Sequence, residues 1–96
     1  SNTTSGRKSS DESKKELQQS IDKADKLVDK LSKDDSLTLT GRKLLSALSK
    51  AADSGQKLVE SGNIKDSKYY KAAKVTLDEA IDMADNWVNS QAAKAQ

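Results

Sequence analysis

The 96-residue chain contains no cysteine, no histidine, no proline and no phenylalanine. Without Cys or His it lacks the usual soft metal ligands, thiol chemistry and the one side chain that titrates near neutral pH. No cofactor and no metal site is therefore expected. The lack of Cys also fits an exported protein, which has no thiol to mispair in an oxidising compartment. The lack of Pro leaves nothing that forces a helix to break or kink. Aliphatic side chains are sparse as well: Leu, Ile and Val number 17 of 96, under the level of about 20% at which disorder becomes a question. Charge balance argues for folding. With 17 basic against 15 acidic residues, the chain lacks the self-repulsion that accompanies disorder, and its apolar residues are strongly periodic.

There is no run of 18 apolar residues to span a membrane, and no basic, apolar and small-residue succession of a signal peptide. Lys and Asp/Glu alternate throughout, whereas nucleic-acid binding wants basic residues gathered on one face. Nucleic acid is thus not an expected partner. The first residue is Ser rather than Met, which reads as a processed product or a cut fragment.

Residues 1–12, SNTTSGRKSSDE, carry no apolar side chain and are expected to form a disordered tail or linker. Ser13 and Glu16 then make the S-x-x-E capping box, in which hydroxyl and carboxylate satisfy the N–H groups a helix start leaves unpaired. From there Leu17, Ile21, Ala24, Val28 and Leu31 recur in steps of four and three, a narrow apolar stripe that predicts a helix over about 13–31. The segment SKDDSLTL breaks the pattern, with Leu37 and Leu39 expected to tuck under the bundle end and Thr40 to cap the next helix.

The second helix is predicted over 41–60, with Leu44, Leu45, Leu48, Ala51, Ala52, Leu58 and Val59 inward. Gly55 falls on the same stripe, where it costs about 1 kcal/mol of helix propensity relative to Ala, so a close approach by a neighbouring helix, or else a local kink, is expected there. Gly62 is the natural left-handed residue that ends this helix. Asp66 is expected to cap a third helix over 66–88, with Tyr69, Tyr70, Ala73, Leu77, Ala80, Ile81, Ala84, Trp87 and Val88 on its buried side, and residues 89–96 are expected to fray. The predicted fold is all-α: an antiparallel three-helix bundle with a disordered N-terminal tail.

Catalysis finds little to use. The carboxylate pairs Asp34–Asp35, Asp78–Glu79 and Asp82–Asp85 could serve as acid and base only in a pocket that desolvates them, and a bundle of this size offers scarcely a cleft. The D-x-D-x-D-G calcium loop is absent. A nucleophilic Ser without His would need a Lys base, and an S-x-x-K string such as that of Ser5 and Lys8 lies in the tail. No enzyme is expected. Tyr and Trp are the residues a binding surface would use. Tyr70 and Trp87, 17 residues apart on one helix, also suit the plugging of its two ends, whereas Tyr69 lies off the centre of the stripe. The candidate contact surface is Tyr69 and Tyr70 with Lys65, Lys68 and Lys71, beside the turn at Ser61, Gly62 and Asn63.

The apolar spacing resembles that of the FIVAR repeats, three-helix modules of Gram-positive surface proteins and secreted carbohydrate-active enzymes. LQQSIDKADKL resembles the family's opening L-x-x-x-I-x-x-A-x-x-L, and LLSALSKAADS is similar to its middle L-x-x-A-L-x-x-A. DSKYYKAAKVTLDEAI resembles the closing pattern A-x-x-x-L-x-x-A-I, carried by Ala73, Leu77, Ala80 and Ile81. The likeness covers about residues 13–88, although SLTLTG stands where the family has an aromatic pair, and SGNIKDSKYYKAA echoes an albumin-binding three-helix module. The resemblance implies an extracellular spacer or adhesive module of a bacterial surface or secreted protein, with a protein, cell-wall peptidoglycan or a host polymer as ligand. The alternative expectation is the mature domain of a small envelope lipoprotein, tethered by its tail to a lipid anchor upstream and acting through protein–protein interaction.

Overall fold

The computed structural model describes the backbone of residues 2–62 and 64–95 and the side chains of residues 10–62 and 64–95. Its elements are α1 (Asn2–Ser32), α2 (Leu39–Glu60) and α3 (Ser67–Ala95). No strand occurs among the described residues. Short connections turn each helix back along the one before it, and every helix packs on both others, giving the expected antiparallel three-helix bundle. The molecule measures 55 × 22 × 16 Å along its principal axes.

The core is the aliphatic stripe of each helix: Leu17, Ile21, Ala24 and Leu31 from α1, Leu48 and Ala52 from α2, and Tyr70, Leu77, Ile81 and Ala84 from α3. Each fully buried Leu or Ile contributes about 1.5–3 kcal/mol relative to exposure. Where core atoms are few, close approach of backbones replaces side-chain bulk. A Cβ on Gly55 would lie 3.3 Å from both Cγ1 and Cδ1 of Ile21, so α1 does crowd α2 at the glycine on the stripe.

Helix α1 packs from further upstream than the Ser13 capping box predicts. Ser13 is buried within the helix rather than capping it, and Ser10 is buried with its hydroxyl donating to the Ile64 carbonyl at 3.3 Å. Ser10, Ser13, Leu17, Ser20 and Ala24 continue the stripe in steps of three and four. Small hydroxyl side chains fit a tight interface as alanine does, with a donor to spend on a neighbouring carbonyl. Of the tail expected over residues 1–12, the side chains of 1–9 lie outside the described residues. Residues 10–12 are helical and belong to the packed part of α1.

The first connection also differs from expectation. Thr38, not Thr40, caps α2: its backbone is extended (φ −72°, ψ 171°) and its Oγ1 accepts from Gly41 N at 3.2 Å. Upstream, Asp34 Oδ1 accepts from the N–H of Ser36 at 2.9 Å and from its hydroxyl at 2.7 Å, a side-chain turn that reverses the chain. With the helix starting two residues early, Leu37 packs against the core while Leu39 is 69% exposed and does not tuck under the end.

The second connection follows the sequence. Ser61 N donates to the Lys57 carbonyl at 3.0 Å, and Gly62 takes φ +77°, the left-handed geometry that costs an L side chain. Ile64 packs under the core, and Asp66 Oδ1 accepts from Lys68 N at 3.0 Å, closing the start of α3. Asn63 lies outside the described residues. Helix α3 does not end at Val88 but continues to Ala95, exposed apart from a half-buried Gln91.

Candidate functional site

The sequence singled out five residues at the start of α3, and the structure separates them. Tyr69 is 53% exposed, while Tyr70 is 2% exposed and belongs to the core. Adjacent helical residues point about 100° apart, so one of two consecutive tyrosines must face inward once the stripe is fixed by Leu77, Ile81 and Ala84. Tyr70 is therefore withdrawn from any contact surface and holds the core end. Lys65, Lys68 and Lys71 are exposed.

The remaining surface has local order. The Lys68 ammonium lies 5.3 Å from the centroid of the Tyr69 ring, a cation–π contact worth about 0.5–1 kcal/mol at an exposed site. The same ammonium is 3.7 Å from Asp66 Oδ2, whose other oxygen caps the helix. Three lysines against one aspartate leave the patch positive around one presented aromatic face.

A second polar cluster lies in the groove between α1 and α3, an open trough of about 420 Å³ with Glu16, Ser20, Lys23, Lys74, Asp78 and Asp82 along it. Ser20 donates to Asp78 Oδ1 at 2.8 Å, and the Lys74 ammonium bonds Asp78 Oδ2. Burial pushes the Asp78 carboxyl up, but the Lys74 and Ser20 hydrogen bonds and the charges of Lys74 and Lys23 outweigh it, so the carboxyl lies below its ordinary value. Sequence reasoning missed this cluster, although Ser20-Ile21-Asp22-Lys23 is an S-x-x-K string within a helix. Its geometry is that of a clamp: Ser20 of α1 donates across to Asp78 of α3, and Lys74 holds the same carboxylate from one turn away on its own helix.

The α2–α3 groove, about 480 Å³, is walled by small residues including Ala47, Ala51, Gly55 and Ala73. A smaller hollow of about 280 Å³ borders Trp87 and Val88 at the far end. Among the described residues no cluster of three or more acidic side chains is placed to hold a metal ion. None of the helices is long and apolar enough to cross a membrane. No protein-family model, no curated protein and no solved structure matches the chain.

Proposed function

We propose that this chain is a non-catalytic binding or spacer module of a bacterial surface or secreted protein, and that it makes contact through Tyr69 with Lys65, Lys68 and Lys71. The observation that carries the reading is the half-exposed Tyr69 ring under the Lys68 ammonium. A rigid aromatic face among cations combines contact area with attraction for negative charge. An acidic protein surface or an anionic polymer of a cell wall or host surface is the class of partner that fits. The resemblance of the helical stripes to FIVAR repeats supports the extracellular setting, and the rod shape suits a spacer.

The test is Tyr69→Ser, checked first for an unchanged melting temperature, since the ring is outside the core. Retention of the intact chain on immobilised poly-glutamate and on isolated cell wall is then compared with that of the variant. Loss of retention in a stably folded variant supports the reading. Undiminished retention would remove this patch from consideration.

A further inference from the structure

We propose that the acidic partner of the Tyr69 face is a second copy of this chain, with α3 packed antiparallel on α3 about a two-fold axis near Thr76. This rests on the reading of that face as a contact surface and names what covers it.

The first observation is a continuous exposed stripe. Tyr69, Ala72, Thr76, Glu79 and Met83 follow one another in steps of three and four, the spacing that keeps residues on one helix face, and all five are exposed. Tyr69 and Met83 are 53% and 58% exposed, and Val75 beside them 57%, so three of the four large exposed apolar side chains among the described residues lie on α3. The core uses none of them.

The second observation is the order of charge along the helix. Lys68, Lys71 and Lys74 occupy its first half and Asp78, Glu79, Asp82 and Asp85 the stretch that follows, with no acid in the first turn. This is the reverse of what the helix dipole favours, acids near the N-terminus and bases near the C-terminus, although Lys94 does sit in the last turn. Lys74 bonds Asp78 within the chain, but among the described residues Lys71, Glu79 and Asp82 have no ion-pair partner.

An antiparallel second copy answers both observations with one operation. Tyr69 and Met83 each stand seven residues, two turns, from Thr76, so a two-fold axis there sets the Tyr69 ring of one copy against the Met83 thioether of the other, a favourable sulfur–aromatic contact. Glu79 then stands opposite Ala73 of the second copy, about half a turn from Lys71 and about a turn and a half from Lys68, separations that long Lys and Glu side chains bridge. The basic half of each α3 thereby faces the acidic half of the other, and the contact is self-complementary, as an isologous dimer requires. Parallel pairing would set lysine against lysine. About an axis near Thr76 the two copies of α3 overlap only over residues 67–85, a strip of roughly 300 Å² per copy, well short of the about 800 Å² of a standard stable interface, so the pairing is weak and concentration-dependent.

The experiment is sedimentation of the full chain from about 10 µM to 1 mM, at low salt and at about 0.5 M salt, where surface charge is screened. The weight-average mass is expected to rise from the 10.4 kDa monomer towards twice that value at low salt, and less so at high salt. Lys68→Glu should hold the chain monomeric, and Lys68→Glu combined with Glu79→Lys should restore the dimer, since both positions are exposed and the pair is merely inverted. A chain that stays monomeric throughout overturns the self-pairing, as does a dimer indifferent to Lys68→Glu and Tyr69→Ser. Retention on poly-glutamate separates this from the broader reading: a monomeric chain that binds it through Tyr69 keeps the contact surface and loses only the second copy as its occupant.

Discussion

The edge of the Trp87 indole lies so close to the backbone of Gly41 that a Cβ on Gly41 would stand 2.6 Å from Cη2 and 2.8 Å from Cζ2. The same Cβ would be 3.0 Å from Leu37 Cδ2. A glycine in the first turn of α2 thus lets the C-terminal part of α3 and the first connection close on one another, sealing the end of a core short of aromatic bulk.

Gly41→Ala is therefore expected to destabilise the bundle even though alanine is the better helix former. Overpacking costs about 1–3 kcal/mol, against a propensity gain of at most about 1 kcal/mol. An indole ring cannot give way as the end of an aliphatic chain can. Since Trp87 is the only Trp, its fluorescence reports the site directly. An unshifted emission maximum together with unchanged melting would show that the ring does not seat there.

Gly55→Ala should behave differently. The added methyl meets Ile21 Cγ1 and Cδ1 at 3.3 Å and Leu17 Cδ1 at 3.5 Å, atoms of flexible side chains that can yield a few tenths of an ångström. Strain and propensity then nearly offset, and the change is expected within about 1 kcal/mol. The ordering is the sharper statement: thermal melting should place Gly41→Ala below Gly55→Ala, and the reverse order would contradict the close contacts.

Much of this architecture is legible in the sequence because the aliphatic stripes are unambiguous. Leu17, Ile21, Ala24, Leu31, Leu48, Leu77, Ile81 and Ala84 are buried where their spacing puts them. What escaped was carried by hydroxyl residues. Ser10 and Ser13 read as polar tail and cap, and Ser20 carries no apolar signal, yet all three occupy the stripe's own positions and are buried by virtue of being small. Thr38 and Thr40 are equally good caps in isolation, and only the packing of Leu37 beneath α2 selects the first. At the candidate surface the sequence set Tyr69 off the centre of the stripe and gave Tyr70 an end-plugging alternative yet kept both as contact residues, because consecutive residues differ only in phase against a core whose centre must first be known.

Leu48 and Leu77 are both completely buried, one from α2 and one from α3. Truncating either to Ala should cost about 2–5 kcal/mol through lost transfer energy and a residual cavity. A domain of this size holds only about 5–15 kcal/mol in all, so each variant should melt far below the parent. Urea unfolding followed by far-UV dichroism gives the value, and parent-like stability in Leu77→Ala would displace the register of α3.

Gly62 offers a backbone test independent of packing. At φ +77° an L side chain costs roughly 1–2 kcal/mol, and among the described residues nothing crowds the position, the nearest atom to an added Cβ being Glu60 O at 3.8 Å. Gly62→Ala should lose stability by strain alone, while Gly62→Asn should lose less because Asn tolerates the left-handed region. Equal melting of the two variants would count against a left-handed residue here.

The α1–α3 clamp should make the bundle sensitive to acid in a defined direction. Asp78 has a folded-state pKa lowered from 3.8: burial raises it, and hydrogen bonds from Lys74 and Ser20 with the charges of Lys74 and Lys23 more than reverse that. A carboxyl depressed in the folded state stabilises it at every pH above the unfolded value, and that stabilisation is lost as pH falls from 3.8 through the folded pKa. Glu16 and Asp82 line the same groove. Asp78→Asn preserves size and can still accept from Ser20, so it removes chiefly the charge. The parent should be the more stable protein at neutral pH, and the gap should close as pH falls from 3.8 through the lowered folded-state pKa and its own carboxylate is neutralised. Because the Lys74–Asp78 pair is partly exposed, the gap at neutral pH should also narrow with added salt. Asp34 supplies the control: its pKa is lowered too, by hydrogen bonds from the Ser36 side chain and backbone, but it acts within one connection. Ser20→Ala should therefore raise the Asp78 pKa in an NMR titration and leave that of Asp34 unmoved. A stability gap between parent and Asp78→Asn that persisted unchanged at pH 2 would mean that the two helices are not held by this charge.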